Sequence, residues 1–193
     1  MSASGHFDTE KSGCRMTGEV SRDAENLKIQ FTFHNGSSNT AFLFDGVYRP
    51  QGNEFDTNQN LVYVEPSGSR VVLGKKLIPV PEGMLVEKKI VPLCTKVAPG
   101  QRVERSLEIP LPLTPWTPYL TADSSREKRI AELGETVDGY FELGFILTPP
   151  EGAALAQRAT IQDRELWRFD AVSPEKQIIL RAGPISELPF KKP

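Results

Sequence analysis

The sequence predicts a mostly β protein, an antiparallel β-sandwich interrupted by a proline-rich connection and one or two short helices. Three observations carry this expectation. Apolar and polar residues alternate in several runs, which is the period of a half-buried strand. Asn, Gly, Ser and Pro cluster between those runs, where turns require them. Sixteen prolines and fifteen glycines in 193 residues are too many for a helical bundle, yet they are too well interspersed with apolar runs for disorder.

The clearest strand covers residues 27–34, where Leu27, Ile29, Phe31 and Phe33 alternate with Lys28, Gln30, Thr32 and His34. Period two places the four apolar side chains on one face. The cluster Asn35-Gly36-Ser37-Ser38-Asn39 follows, and an apolar run resumes at residues 41–44, so a hairpin or a turn between sheets is expected. Residues 14–20 supply a less regular strand beside the first, while residues 1–13 read as a flexible tail. Residues 45–60 are polar, hold Gly46, Pro50 and Gly52, and read as a long loop, a class of segment that often carries function. Residues 61–64 and 70–73 flank Glu65-Pro66-Ser67-Gly68-Ser69 and predict a second hairpin, with residues 77–80 extending its second arm. The mixed apolar and basic run 84–93 suits an edge strand, since Pro92 cannot donate to a ladder.

A Pro-Gly turn at residues 97–101 leads into a half-buried strand in which Val103, Leu107 and Ile109 alternate with Arg102, Glu104, Ser106 and Glu108. From Ile109 to Tyr119 four prolines exclude a central strand and predict an extended, polyproline-like connection. Ser124 with Glu127 forms a capping box for a surface helix that ends at Leu133 before Gly134. The insert of crossover and helix spans residues 109–136. Phe141, Leu143, Phe145 and Leu147 alternate in the strongest strand of the second half, residues 137–147. Residues 153–159 suit another short helix, Trp167 and Phe169 share a face, and residues 176–182 form the last strand. One domain over residues 14–185 with a tail at 186–193 is the expected organisation, because neither half holds enough strands to close its own core.

Charge and composition narrow the partners. Lys plus Arg total 23 against 25 Asp plus Glu, and the basic pairs Lys75/Lys76, Lys88/Lys89 and Lys191/Lys192 are short and scattered, so no nucleic acid is expected. No run approaches the roughly 20 apolar residues of a spanning helix, so no membrane insertion is expected. The start of the chain lacks a basic and apolar leader, which suits a cytoplasmic protein as written, or a periplasmic or surface one if a leader was removed. Cys14 and Cys94 are the two cysteines, and buried thiols are favoured over a disulfide.

The stretch Leu27-Lys28-Ile29-Gln30-Phe31-Thr32-Phe33-His34-Asn35, its Ser/Asn turn and the later Val97-Ala98-Pro99-Gly100-Gln101 resemble the bacterial immunoglobulin-like accessory domains. The resemblance covers residues 27–109, roughly half the chain. It implies an immunoglobulin-like sandwich and a role as an adhesive module, a spacer beside an enzyme or a small proteinase inhibitor, with no catalytic residues to carry over. The long proline-rich connection and the helical insert depart from that pattern and speak against a pure spacer.

The chemical inventory is thin. His6 and His34 are the available imidazoles; His6 falls in the expected tail and His34 on the face opposite the phenylalanines, without a nucleophile elbow. Asp56-Thr57-Asn58-Gln59-Asn60 resembles half a calcium loop, but Leu61 and Ser67 stand where the Gly and the bidentate Glu belong, so a polar turn is expected. No cofactor is implied. Interaction potential lies in Trp116 and Tyr119 on the rigid proline-rich segment and in Tyr48, Arg49, Asp56 and Asn58 on the loop 45–60. The expected function is therefore a non-catalytic binding module for a protein partner. A proteinase-inhibitor-like regulator, which needs an exposed rigid loop, and a carboxylate- or metal-dependent hydrolase stand as alternatives.

Overall fold

The computed structural model describes residues 4–51, 54–87, 89–119, 130–149, 156–161 and 164–192. The chain is mostly β, with two packed sheets and a small separate hairpin. The first sheet has the order β1 (Ser4–Lys11), β2 (Cys14–Arg22), β3 (Asn26–Asn35), β10 (Arg102–Pro110), antiparallel throughout. The second runs β12 (Gln157–Ile161), β13 (Arg164–Arg168), β9 (Leu93–Val97), β4 (Thr40–Gly46), β11 (Thr136–Thr148), β8 (Arg70–Lys75), β7 (Tyr63–Ser67). β14 (Ile178–Pro189) also pairs with β11. The sheet is mixed, because β8 lies parallel to β11. The hairpin joins β5 (Arg49–Gln51) to β6 (Glu54–Asp56).

The alternation in β3 works as its period requires. Leu27, Ile29, Phe31 and Phe33 enter one interior with Leu43, Val71, Leu73, Phe141, Leu143 and Phe145 of the facing sheet. Two aromatic pairs bridge the sheets, Phe31 with Phe141 at 5.4 Å and Phe33 with Phe145 at 5.3 Å between ring centres. Asn35 governs the crossing from β3 to β4. Its amide nitrogen donates to Asn39 O (2.8 Å) and Val97 O (2.9 Å), and its oxygen accepts from Ser37 N (3.1 Å), Ser37 Oγ (2.7 Å) and the Cys14 thiol (3.4 Å). The turn therefore leads from one sheet to the other and no hairpin forms there.

The second sheet is covered on both faces. Behind it, Phe42, Phe44, Cys94 and Ile146 pack with Leu77, Val91 and Phe169, which explains why residues 41–44 read as an unbroken apolar run. Phe42 meets Trp167 and Phe169 edge-on, so the aromatic pair of the last third closes this rear layer. The proline-rich segment forms the isolated bridges Val64 to Trp116 and Leu113 to Phe190 and buries Leu113 in the main core and Tyr119 against Tyr63.

Several expectations are corrected. The supposed N-terminal tail forms β1 from residue 4, in register with β2 from Ser4↔Ser21 to Lys11↔Cys14, because Phe7 packs on the core while His6, Asp8 and Glu10 take the exposed face. The C-terminal tail extends β14 to Pro189, and Leu188 and Phe190 are buried. The loop 45–60 contains the β5–β6 hairpin and begins inside β4. Residues 77–87 and 89–92 are not strands; they lie as irregular chain over the rear face, with Leu77, Ile78 and Val91 buried there. Residues 157–159, expected in a helix, belong to β12. The capping box at Ser124 and Glu127 lies outside the described residues, whereas Ile130 and Leu133 at the end of that helix are buried. Both cysteines are free and buried.

Candidate functional site

The loop 45–60 brings two different surfaces into being on either side of β4. The first is aromatic. Tyr63 on β7 points to the rear of the second sheet and packs with Val47, Ile78 and Tyr119. Trp116 is fastened beside it by paired backbone bonds, Trp116 N to Val64 O (3.0 Å) and Val64 N to Trp116 O (2.8 Å). Its ring lies 5.1 Å from the Tyr63 ring, and the Arg49 guanidinium sits 4.1 Å from the Trp116 ring centre. Tyr48 meets Phe55 edge-on at 5.3 Å, and Phe55 is 61% exposed. Segments far apart in sequence thus bring Arg49, Trp116 and Tyr63 together, while Tyr48 and Phe55 meet on the other face of the β5–β6 hairpin.

Tyr119 is not part of the aromatic surface. It is buried, and its hydroxyl accepts from Ile90 N at 3.1 Å. Tyr63 Oη is buried with no hydrogen-bond partner among the described residues, and burial pushes its phenol well above the ordinary range. Burial also raises Tyr48, with Tyr119 adding to the shift. The neighbouring chain 81–87 turns at Gly83, whose φ is +78°, with Met84 N donating to Pro81 O (3.1 Å). Met84 and Val86 pack on the Tyr63 cluster, whereas Leu85 between them is fully exposed.

The second surface is charged. Asp45 and Lys75, at the C-terminal ends of β4 and β8, share the inward face with Thr95 of β9 and Arg105 of β10. Asp45 Oδ2 accepts from Arg105 Nε at 2.8 Å and from Thr95 Oγ1 at 2.9 Å, while its Oδ1 accepts from Thr95 N at 3.1 Å. Lys75 Nζ donates to Asp45 O (2.8 Å) and Gln59 O (2.9 Å). Burial pushes its pKa down to about 8; Asp45 opposes that shift, and Arg164 and Arg105 add to it.

Residues 56–60 roof this cluster as two successive side-chain turns. Asp56 Oδ1 accepts from Asn58 N (3.0 Å), Asn58 Oδ1 accepts from Asn60 N (2.9 Å), and Asn60 Oδ1 accepts from Glu108 N on β10 (3.1 Å). The oxygens that resembled calcium ligands are turned on backbone. Among the described residues, no three His, Cys, Asp or Glu side chains gather as a metal site.

Of the residues singled out from sequence, Arg49 and Trp116 are in contact, and Tyr48, next to Arg49 in the chain, makes its own ring contact with Phe55. Asp56 and Asn58 belong to the charged surface instead, where they line a cavity with Gln59 and Arg164. Sequence reasoning missed Phe55, Tyr63, Lys75, Arg105 and Arg164. A signal existed for Lys75, which shares the parity of the core residues Val71 and Leu73 in one strand. Comparison with protein-family models, with curated proteins and with solved structures gave no match.

Proposed function

We propose that the chain is a non-catalytic binding module that engages a protein partner through the aromatic surface around the β5–β6 hairpin, Tyr48, Arg49, Phe55 and Trp116, a role of the kind filled by bacterial immunoglobulin-like accessory domains. The observation that carries this reading is the Arg49 guanidinium stacked at 4.1 Å on Trp116, on the same short hairpin as a Phe55 that is 61% exposed. Trp, Tyr and Arg dominate the energetics of protein interfaces, and rings held in place before binding lose little entropy on contact. A photo-crosslinking amino acid at position 55, in the cells that make the protein, should give a discrete adduct that Trp116→Ala diminishes. Arg49→Ala, at an exposed side chain, serves if Trp116→Ala does not fold. Equal adducts from position 55 and from position 160 on the edge strand β12 would overturn the reading.

A second reading, a proteinase-inhibitor-like regulator, is favoured by Leu85. Its side chain is fully exposed while Met84 and Val86 on either side pack on the aromatic cluster. That arrangement offers an apolar residue on a supported loop, as a substrate-like inhibitor requires. Inhibition of an endoproteinase with an apolar specificity pocket, lost in Leu85→Asp, would support it. A screen across protease classes without inhibition removes it.

A further inference from the structure

In the charged cluster, Arg105 is matched by Asp45 at 2.8 Å. Lys75 is 1% exposed, and its ammonium bonds two backbone carbonyls and no carboxylate. Arg164 donates to Thr57 O at 3.5 Å and forms no ion pair among the described residues. Arg105 has thus taken the Asp45 carboxylate, and Lys75 and Arg164 form no ion pair among the described residues. A buried ammonium without a counter-ion is costly, and an apolar side chain at this inward position of β8 would avoid the cost. Charges kept at such a cost mark candidate binding sites.

Beside the roof lies a cavity of about 440 Å³ lined by Asp56, Asn58, Gln59 and Arg164. Its donors are available. Asn58 spends its side-chain oxygen on Asn60 N, which leaves its amide hydrogens free to donate, and Arg164 presents a planar fork suited to a carboxylate. We propose that this cavity binds a single carboxylate group of a ligand, with Arg164 and Asn58 as direct donors and Lys75 as the buried charge behind them. The Asp56 carboxylate on the cavity wall disfavours a dianion such as phosphate, so the cavity suits a monoanion. The site uses none of the aromatic residues, so it stands or falls independently of the partner reading above.

The test is a titration of the isotope-labelled full chain with sodium acetate at constant ionic strength, following the backbone amides of Asn58, Gln59 and Arg164 by NMR. Saturable shifts that share one midpoint are expected. Arg164→Ala should weaken acetate by about tenfold or more, the worth of one charge-assisted hydrogen bond. Asn58→Asp, at an exposed turn position that leaves the fold intact, should abolish binding by repulsion. Saturating acetate should also raise the pH at which the Lys75 ammonium resonance titrates. Shifts that stay linear in acetate, or an affinity unchanged in both variants, would overturn the site. Phosphate binding as tightly as acetate would overturn its assignment to a monoanion.

Discussion

Arg105 Nε lies 2.8 Å from Asp45 Oδ2, and this ion pair joins β10 of the first sheet to β4 of the second through the interior. Asp45 is almost fully buried, whereas the Arg105 side chain keeps 24% exposure. Removing the carboxylate strands Arg105 and withdraws the nearest negative charge from Lys75. Asp45→Ala should therefore cost about 3 kcal/mol, the lower end for a broken buried pair. The double variant Asp45→Ala/Arg105→Met should recover part of that loss. Urea unfolding of both variants decides the matter, and a neutral Asp45→Ala would mean the pair does not hold the sheets together.

Asn35 is the second polar anchor. Its side chain makes five hydrogen bonds at the point where the chain changes sheets, two of them donated to Asn39 O and Val97 O. Asn35→Ala removes a donor from each of those carbonyls and the acceptor from the Ser37 amide, at a buried position. A loss of about 3 kcal/mol is expected, since each buried polar group left unsatisfied costs about 1–3 kcal/mol. Asn35→Asp should also destabilise, because a carboxylate cannot donate to the two carbonyls. Retention of full stability by either variant would contradict the anchor.

The same residue shows what was legible in the sequence. Strands with one wet face, β3 and β10, announce themselves by alternation, β11 does so because Glu142 and Gly144 interrupt its apolar positions although both are buried, and the Asn-rich turn after β3 announces its own chemistry. The rear layer hides itself for a physical reason. Residues buried on both faces, such as Ala41 to Phe44, lose the alternation, and the irregular chain at 77–87 and 89–92 is held by contacts with that rear face and by no period of its own. β1 was missed because its pattern is written mainly in polar residues, with Phe7 as its one large apolar contact to the core. At the site, Trp116 and Arg49 were readable as types suited to binding. Their contact, and the separation of Asp56 and Asn58 onto another surface, depend on topology that no local pattern encodes.

The thiols give a kinetic prediction. Cys14 and Cys94 are both 0% exposed, and burial pushes both thiols up, Cys94 well above its ordinary range. Neither should react with a thiol reagent in the native state at neutral pH, since the thiolate is the reactive form and neither site is accessible. In denaturant two equivalents should react at once. A fast native equivalent would show that one of the burial layers opens readily.

Lys75 yields a pH dependence whose sign is opposite to that of a salt-bridged lysine. Its folded pKa is about 8, below the ordinary 10.5, so the folded protein releases this proton at lower pH than the unfolded chain does. Between those values the unfolded chain binds more protons, and stability rises with pH. Below about 8 both states are protonated and the fold bears the whole cost of burying the ammonium, roughly 3 kcal/mol. The two thiols titrate in a neighbouring range with the opposite sign, because burial raises them. The informative quantity is therefore the difference between the wild-type chain and Lys75→Met in unfolding free energy across pH 8 to 10.5. That difference should change steadily in favour of the wild type as pH rises, since the variant has no ammonium to discharge. Parallel curves would show that the Lys75 charge is not carried into the folded interior, and would remove the electrostatic support for the carboxylate site with it.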